Sequence, residues 1–338
     1  MKVLLTGHQG YLGTVMAPVL AAAGHEVVGL DTGWFAGNVL GPMPTDPPTL
    51  TRDLREVSAA DLEGFDAVIH LAALSNDPLG ALAPEITYDI NHHASSRLAR
   101  LAKQAGVGRF LYSSTCSVYG ASGSGLVAED AELAPFTPYA VSKVRVEADL
   151  LELADDTFTT VSLRNATAFG YSPRLRADIV LNNLVGHALL TGEVLVMSDG
   201  TPWRPLVHAA DIADVFAAAL VAPAASVQRK ALNVGDESNN VTVAEIAEAV
   251  AAETGTSVRI TGEAGNDPRS YRVDFSLLRE TLPSVRVHRS IADGARELVA
   301  AYREHGLTKE SFGSTFVRLA RIRELQDSGA LDADLRAT

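Results

Sequence analysis

Residues 2–13, KVLLTGHQGYLG, decide the fold. Five residues of apolar character stop at Gly7, two further glycines follow at three-residue spacing (Gly10 and Gly13), and residues 11–25, YLGTVMAPVLAAAGH, have helical composition ending in glycine. A strand, a tight turn and a helix in that order form an anion-binding corner. Glycine permits positive φ, close approach of backbone amides and close helix packing, while the helix N-terminus favours negative charge. The spacing G-x-x-G-x-x-G differs from G-x-G-x-x-G and is a weak signal by itself.

The next strand strengthens it. EVVGLD (26–31) ends on Asp31, where a carboxylate accepts both ribose hydroxyls of a dinucleotide and repels a 2′-phosphate; no basic residue follows in DTGWFAGN. NAD is therefore expected rather than NADP. Asp53, in TRDLRE, stands where a third strand ends, and two readings are level for it: acceptor of the adenine amino group, or surface turn residue.

Outward from this corner the same rhythm continues through FDAVIHLAA, a long segment from Pro84 to Gly106, GRFLYSS, a loop over 120–138, a helix from Pro138, and TFTTVSLR. Continuous apolar strands alternating with helices imply a parallel sheet covered on both faces. Beyond Gly170 come VLNNLVGHALLTG, the loop SDGTPWRPLVH, a helix from Ala209, the strand ALNVGD and a helix from Val243 opened by the capping box Thr242–Glu245. In STFVRLARIREL, Phe316, Leu319, Ile322 and Arg323 recur at helical spacing, an amphipathic helix expected to pack on the body.

A chain of 338 residues holds one large core plus a smaller lobe, and 47% apolar with 20% charged residues is ordinary globular composition. The net charge of −13 excludes the basic field that a nucleic-acid or anionic-membrane partner requires, so any anion is bound by a local cluster. No apolar stretch approaches the roughly 20 residues that span a bilayer, and the N-terminal run is far shorter than a signal-peptide core. The lone cysteine, Cys116, makes no internal disulfide. A cytoplasmic setting is expected.

TPYAVSK places Tyr139 and Lys143 four apart after a helix-starting proline, on one helical face. A phenol titrates near pH 10 in water, but an adjacent ammonium and a cationic pyridine ring stabilise the phenolate, which then exchanges a proton with a sugar hydroxyl. Tyr-x-x-x-Lys alone is common; here it follows the glycine turn, Asp31 and SSTCSVYG (113–120).

Together the glycine turn, HLAA (70–73), Asn91, SSTCSVYG, Tyr139 with Lys143, and LRNATAFG (163–170) resemble the extended short-chain dehydrogenase/reductase family, specifically its nucleotide-sugar epimerases and dehydratases, from residue 1 to about 280. The resemblance implies an α/β fold: a Rossmann-like doubly wound parallel sheet over residues 1–170, rejoined by about 205–235, with a smaller C-terminal α/β substrate lobe and helices over 171–338. It implies NAD held by Gly7, Gly10, Tyr11, Leu12, Gly13, Asp31, Asp53, Leu54, Leu71, Ala72, Ala73, Asn91, Tyr139 and Lys143. It implies a nucleoside diphosphate sugar held by Thr115, Ser117, Asn76, Thr167, Asn183, Arg204 and Arg272, with Arg269 a weaker candidate, and no metal. Asp77, beside Asn76, touches the sugar or merely turns the chain. His208 reads as a satisfied loop histidine. A homodimer through helices near 91–104 and 139–153 is implied as well. The family pattern R-x-F-N-x-x-G-P appears here as Arg164, Ala166, Thr167, Gly170 and Tyr171, so a usual asparagine contact is lost.

The reaction turns on residues 115–117. In the family the first of these, here Thr115, hydrogen-bonds the sugar 4-hydroxyl. The next two are an Asp-Glu pair in 4,6-dehydratases, and the second is glutamate in decarboxylating members; here they are Cys116 and Ser117. A 4-epimerase needs neither carboxylate. Cys116 stands where dehydratases put their acid, although a buried packing role is commoner for a lone thiol. The expected function is NAD-dependent epimerisation at C4 with Thr115, Tyr139 and Lys143 as catalytic residues. The alternatives are a dehydratase or 3,5-epimerase using Cys116, a 4-ketoreductase, and a non-catalytic dinucleotide-sensing scaffold.

Overall fold

The computed structural model describes residues 1–75, 83–262 and 269–338. Its strands are β1 (Lys2–Thr6), β2 (Glu26–Asp31), β3 (Thr49–Thr51), β4 (Ala67–His70), β5 (Arg109–Thr115), β6 (Ala121–Val127), β7 (Thr159–Asn165), β8 (Thr167–Phe169), β9 (Glu193–Val196), β10 (Trp203–His208), β11 (Lys230–Val234), β12 (Asn240–Thr242), β13 (Ser257–Ile260) and β14 (Ser270–Val273). Seven of them make the main sheet in the order β11-β7-β5-β4-β1-β2-β3, every pair parallel. Successive side chains of a strand point to opposite faces, so Val3 and Leu5 enter one apolar cluster and Leu4 another. Both faces are covered, as the continuous apolar runs require. Helices Tyr11–Ala22 and Ala209–Val221 bury Met16, Leu20, Ile212 and Phe216 on the first face; Ser95–Gln104 and Pro138–Leu153 bury Leu98, Ala99, Val146 and Leu150 on the second.

From β1 the chain winds outward to β2 and β3, then returns to continue through β4, β5, β7 and β11 on the other side. The reversal opens a crevice at the carboxyl ends of β1 and β4, where ligands bind in doubly wound sheets. A third apolar cluster, with Phe169, Leu181, Ile246 and Leu298, joins helices Val180–Thr191, Val243–Thr254 and Ile291–Glu304 beside the paired β9 and β13. Thr242 and Glu245 form the reciprocal capping box.

Three segments differ from the local sequence pattern. Within the expected loop 120–138, residues Ala121–Val127 form β6, whose partner is β14, nearly 150 residues away; glycine and serine say nothing of a distant strand that supplies the hydrogen bonds. The segment after Pro84 is helical but widens into a π turn at Asp89–Ala94 before Ser95–Gln104. The C-terminal helix starts only at Arg318, and its buried positions are Arg318 and Ile322; Phe316 precedes it and packs in the third cluster. Among the described residues no helix is long and apolar enough to cross a membrane, and no group of three or more His, Cys, Asp or Glu side chains could hold a metal ion.

Behind β5 and β7 lies a buried ion pair. Arg164 Nη2 stands 2.7 Å from Glu147 Oε2, its Nη1 donates to the Tyr119 hydroxyl at 2.9 Å, and Tyr119 donates to Asn233 Oδ1 at 2.6 Å. Ser114 donates to the same Glu147. Removing one partner strands the other charge in the interior. Arg164→Met is therefore expected to lower the unfolding free energy by about 3–5 kcal/mol, read from urea transitions. A loss below about 1 kcal/mol would show the pair to be dispensable.

Candidate active site

The crevice is a cleft of about 690 Å³ whose wall is made at strand ends. Gly7, Gly10, Tyr11, Leu12 and Gly13 follow β1; Asp31 ends β2; Asp53 and Leu54 follow β3; Leu71, Ala72 and Ala73 follow β4; Thr115 ends β5, followed by Ser117; Tyr139 and Lys143 come from the helix Pro138–Leu153; Thr167 comes from β8, Asn183 from the helix Val180–Thr191 and Arg204 from β10. All line the same cleft.

The glycine turn is built for close approach. Gly7 has φ +72°, and a Cβ there would stand 2.8 Å from Ala72 N; one on Gly13 would stand 2.3 Å from Gly7 O. Turn, first helix and the β4 loop are thus in backbone contact, leaving helix N-terminal amides toward the cleft. Asp31 Oδ2 accepts from Gln9 N at 3.1 Å and Oδ1 from Gly33 N at 2.9 Å, which orients both oxygens and leaves each a lone pair. These residues fit a dinucleotide. Asp53 lines the cleft too, but its carboxylate also holds Arg55 at 2.6 Å and caps the turn after β3.

The β4 loop is held by a buried relay. His70 sits between Thr6 Oγ1 (2.7 Å) and Ser95 Oγ (2.8 Å), and Thr6 Oγ1 accepts from Ala72 N at 3.3 Å. Burial, with Lys143 nearby, pushes His70 down to about 3, so the imidazole is neutral.

Tyr139 and Lys143 share a helical face because four residues make just over one turn. Thr137 caps that helix by accepting from Ala140 N. Lys143 Nζ lies 5.5 Å from the centre of the Tyr139 ring and 4.6 Å from that of Tyr112, and donates to Ser113 O at 2.7 Å. Only 3% of Lys143 is exposed, and burial pushes its ammonium down to about 7 against the opposing pull of Glu147.

Three expected site residues among the described ones are not brought to this wall. Cys116 is 1% exposed, sits in the core, and its thiol donates to Arg164 O at 3.0 Å; burial pushes it well above the ordinary thiol range. The turn that follows β5 points Thr115 and Ser117 to the cleft and the residue between them inward. Asn91 is buried behind the wall, where its amide accepts from Leu74 N at 2.7 Å and donates to Leu74 O at 3.0 Å; it shapes the loop and does not line the cleft. Arg272 lies 5.0 Å over the Trp203 ring while its strand neighbour Tyr271, with Arg269, lines the cleft, so strand alternation favours the arginine ranked second. Asn76 and Asp77 lie outside the described residues. His208 accepts from Ala210 N through Nδ1 and meets Glu297 at 2.8 Å through Nε2, a helix cap with both nitrogens engaged.

Sequence reasoning missed Asn165, Arg176, Asp178, Tyr271 and Arg318, all in the wall. Asn165 directly follows the flagged Arg164 and donates to Ser113 Oγ at 3.0 Å. Tyr271 faces the cleft with Ser117. Arg176 pairs with Asp178 at 2.7 Å and donates to Ser75 Oγ at 3.0 Å, tying the segment before the helix Val180–Thr191 to the β4 loop. A charge pair two residues apart in a loop carries no local signal of this.

With the geometry in place, comparison with known proteins is informative. The profile of the NAD dependent epimerase/dehydratase family matches residues 3–235. A UDP-glucose 4-epimerase of Streptomyces lividans is 30% identical over 300 residues, covering 83% of this chain and 90% of its own. A dTDP-glucose 4,6-dehydratase of an Actinoplanes species is 29% identical over 332 residues, covering 90% and 98%. Among solved structures, a dTDP-glucose 4,6-dehydratase from Streptomyces venezuelae with NAD and TYD bound superposes with a TM-score of 0.78 at 27% identity, covering 92% of this chain and 100% of that one.

Proposed function

The chain belongs to the NAD dependent epimerase/dehydratase family, whose cofactor is NAD, and from that premise we propose that it epimerises a nucleoside diphosphate sugar at C4. The observation that carries the reading is the chemistry around Tyr139: a phenol, a buried ammonium and small hydroxyls, with no dehydratase carboxylate pair after Thr115. Among the described residues the carboxylates lining the cleft are Asp31, Asp53 and Asp178. The first is oriented by backbone amides, and the other two are paired with arginine.

NAD, when bound, supplies a group that accepts and returns hydride at the sugar C4. Thr115 holds the 4-hydroxyl, and Tyr139 takes its proton and gives one back after the sugar has presented its other face. Lys143 stabilises the phenolate. Thr167, between Ala166 and Ala168, replaces the family's larger asparagine and leaves room for a sugar to turn. The diphosphate falls to Arg204 and Arg269, whose planar forks suit phosphate oxygens. In this reading the protein is a cytoplasmic homodimer packed through helices Ser95–Gln104 and Pro138–Leu153, where Leu151 is 50% exposed.

The test is turnover of nucleotide sugars in deuterated water. Epimerisation at C4 gives a product with no deuterium on carbon, whereas dehydration or 3,5-epimerisation labels ring or methyl carbons, and a 4-ketoreductase consumes added NADH. Label on carbon would overturn the proposal. Cys116→Ala is expected to change kcat by less than about threefold, because a thiol turned into the core touches no reacting atom. A loss beyond about 100-fold, with the fold intact, would restore the thiol as acid.

A further inference from the structure

Past Asp31 the chain forms the loop Trp34–Asn38, which a segment from the far end of the sequence grips. Asn38 Nδ2 donates to Thr315 O, and Arg321 Nε donates to Trp34 O at 3.1 Å. Arg55, fixed by Asp53, donates to the carbonyls of Asp334 at 2.8 Å and Leu335 at 2.7 Å. Ile322, Leu331 and Leu335 pack with Trp34, Phe35 and Ile90.

What this segment delivers to the cleft wall is Arg318. The residue is 7% exposed, its guanidinium lies 4.1 Å over the Phe35 ring, and Nη2 donates to Arg174 O at 3.2 Å. Nη1 is buried and has no hydrogen-bond partner among the described residues, and none of their carboxylates pairs with the charge. Arg174 Nε is buried and unpartnered in the same corner. Burial and the nearby Arg176 push Arg318 down to about 9, with Asp178 and Asp31 opposing and Arg174 adding to the fall. A buried cation with an unused N–H is costly unless an anion completes it.

The position names the anion. Asp31 marks the adenosine end of the cleft, and Arg176, which acts on Tyr139 and bonds Ser75, marks the reacting end; Arg318 feels the charges of both. A dinucleotide carries its diphosphate between those ends. We propose that Arg318 binds that diphosphate, so that a residue from the C-terminal segment joins the backbone amides of the glycine turn in holding NAD. The inference rests on NAD occupying this cleft.

Arg204 and Arg269 serve the other diphosphate, that of the nucleotide sugar, so the two are separable. Wild-type, Arg318→Gln and Arg323→Gln proteins are freed of cofactor and titrated with NAD and, separately, with UDP. Arg323 is on the exposed face of the same helix. Arg318→Gln is expected to weaken NAD binding about 10- to 100-fold and to leave UDP within about threefold, while Arg323→Gln changes neither. NAD affinity within threefold of wild type, or weakened UDP with unchanged NAD, overturns the proposal. If Arg318→Gln does not fold, Arg318→Lys carries the test: the charge stays but the fork is lost, a roughly 3- to 10-fold weakening of NAD is expected, and unchanged affinity overturns it. Wild-type protein that takes no NAD would instead overturn the cofactor assignment.

Discussion

Tyr139→Phe is expected to lower kcat by about 10²- to 10⁴-fold while the purified protein still carries its NAD. The substitution deletes one oxygen from a half-buried ring on a well-capped helix, so neither the fold nor the glycine turn is touched. Lost with it is the atom that exchanges the proton of the sugar 4-hydroxyl, an interaction made in the transition state and not in ground-state binding. KM for the nucleotide sugar should therefore move far less than kcat. Turnover above about one tenth of wild type, with NAD content unchanged, would remove Tyr139 from the reaction.

Lys143→Met should divide activity from stability. Turnover falls at least about 100-fold, because the phenolate loses its neighbouring cation. Cofactor-free protein, however, should gain stability at pH 6. Burial lowers the ammonium from its ordinary 10.5 to about 7, so below pH 7 the folded chain must keep in its interior a charge that the unfolded chain keeps in water. Between pH 7 and 10.5 the folded state sheds the proton that the unfolded state retains, and the penalty shrinks with each unit. Above 10.5 both states are neutral and the penalty is gone. The gain from methionine is thus greatest at pH 6 and fades toward pH 10. Urea transitions at pH 6, 8 and 9.5 test this. A gain independent of pH, or a loss at pH 6, would mean that Lys143 is not a buried cation of depressed basicity. Such an exchange of stability for chemistry is usual where a site holds a strained charge.

The expectations that local residues carried concern contiguous chemistry. Gly7, Gly10 and Gly13 with Asp31 specify a tight glycine turn and a carboxylate at the end of the next strand within 25 residues, and Tyr139 and Lys143 specify a helical face within five. Each depends on short-range geometry that any chain of those residues adopts. Arg272 and Cys116 show where this reasoning stops: which of two neighbouring side chains faces a cleft depends on the alternation of a strand or the pitch of a single turn, and both are set by what packs behind them. Asn91 was legible as a site residue and is instead a brace, because its amide is consumed by Leu74 across a π turn that no local pattern announces.

By itself the sequence determined a parallel sheet covered on both faces, a glycine turn between its first strand and first helix, and a phenol one helical turn from an ammonium, because hydrophobic period, glycine sterics and helical pitch are properties of neighbouring residues. Only the tertiary structure decided that β6 pairs with β14, that the thiol faces the core, and that Arg176 and Arg318 reach the cleft wall. Those outcomes join residues far apart in the chain, from 48 positions for the thiol to more than 140 for Arg318 and the carbonyl it bonds, and the energy that brings them together is burial and pairing summed over the whole fold, which no short stretch contains.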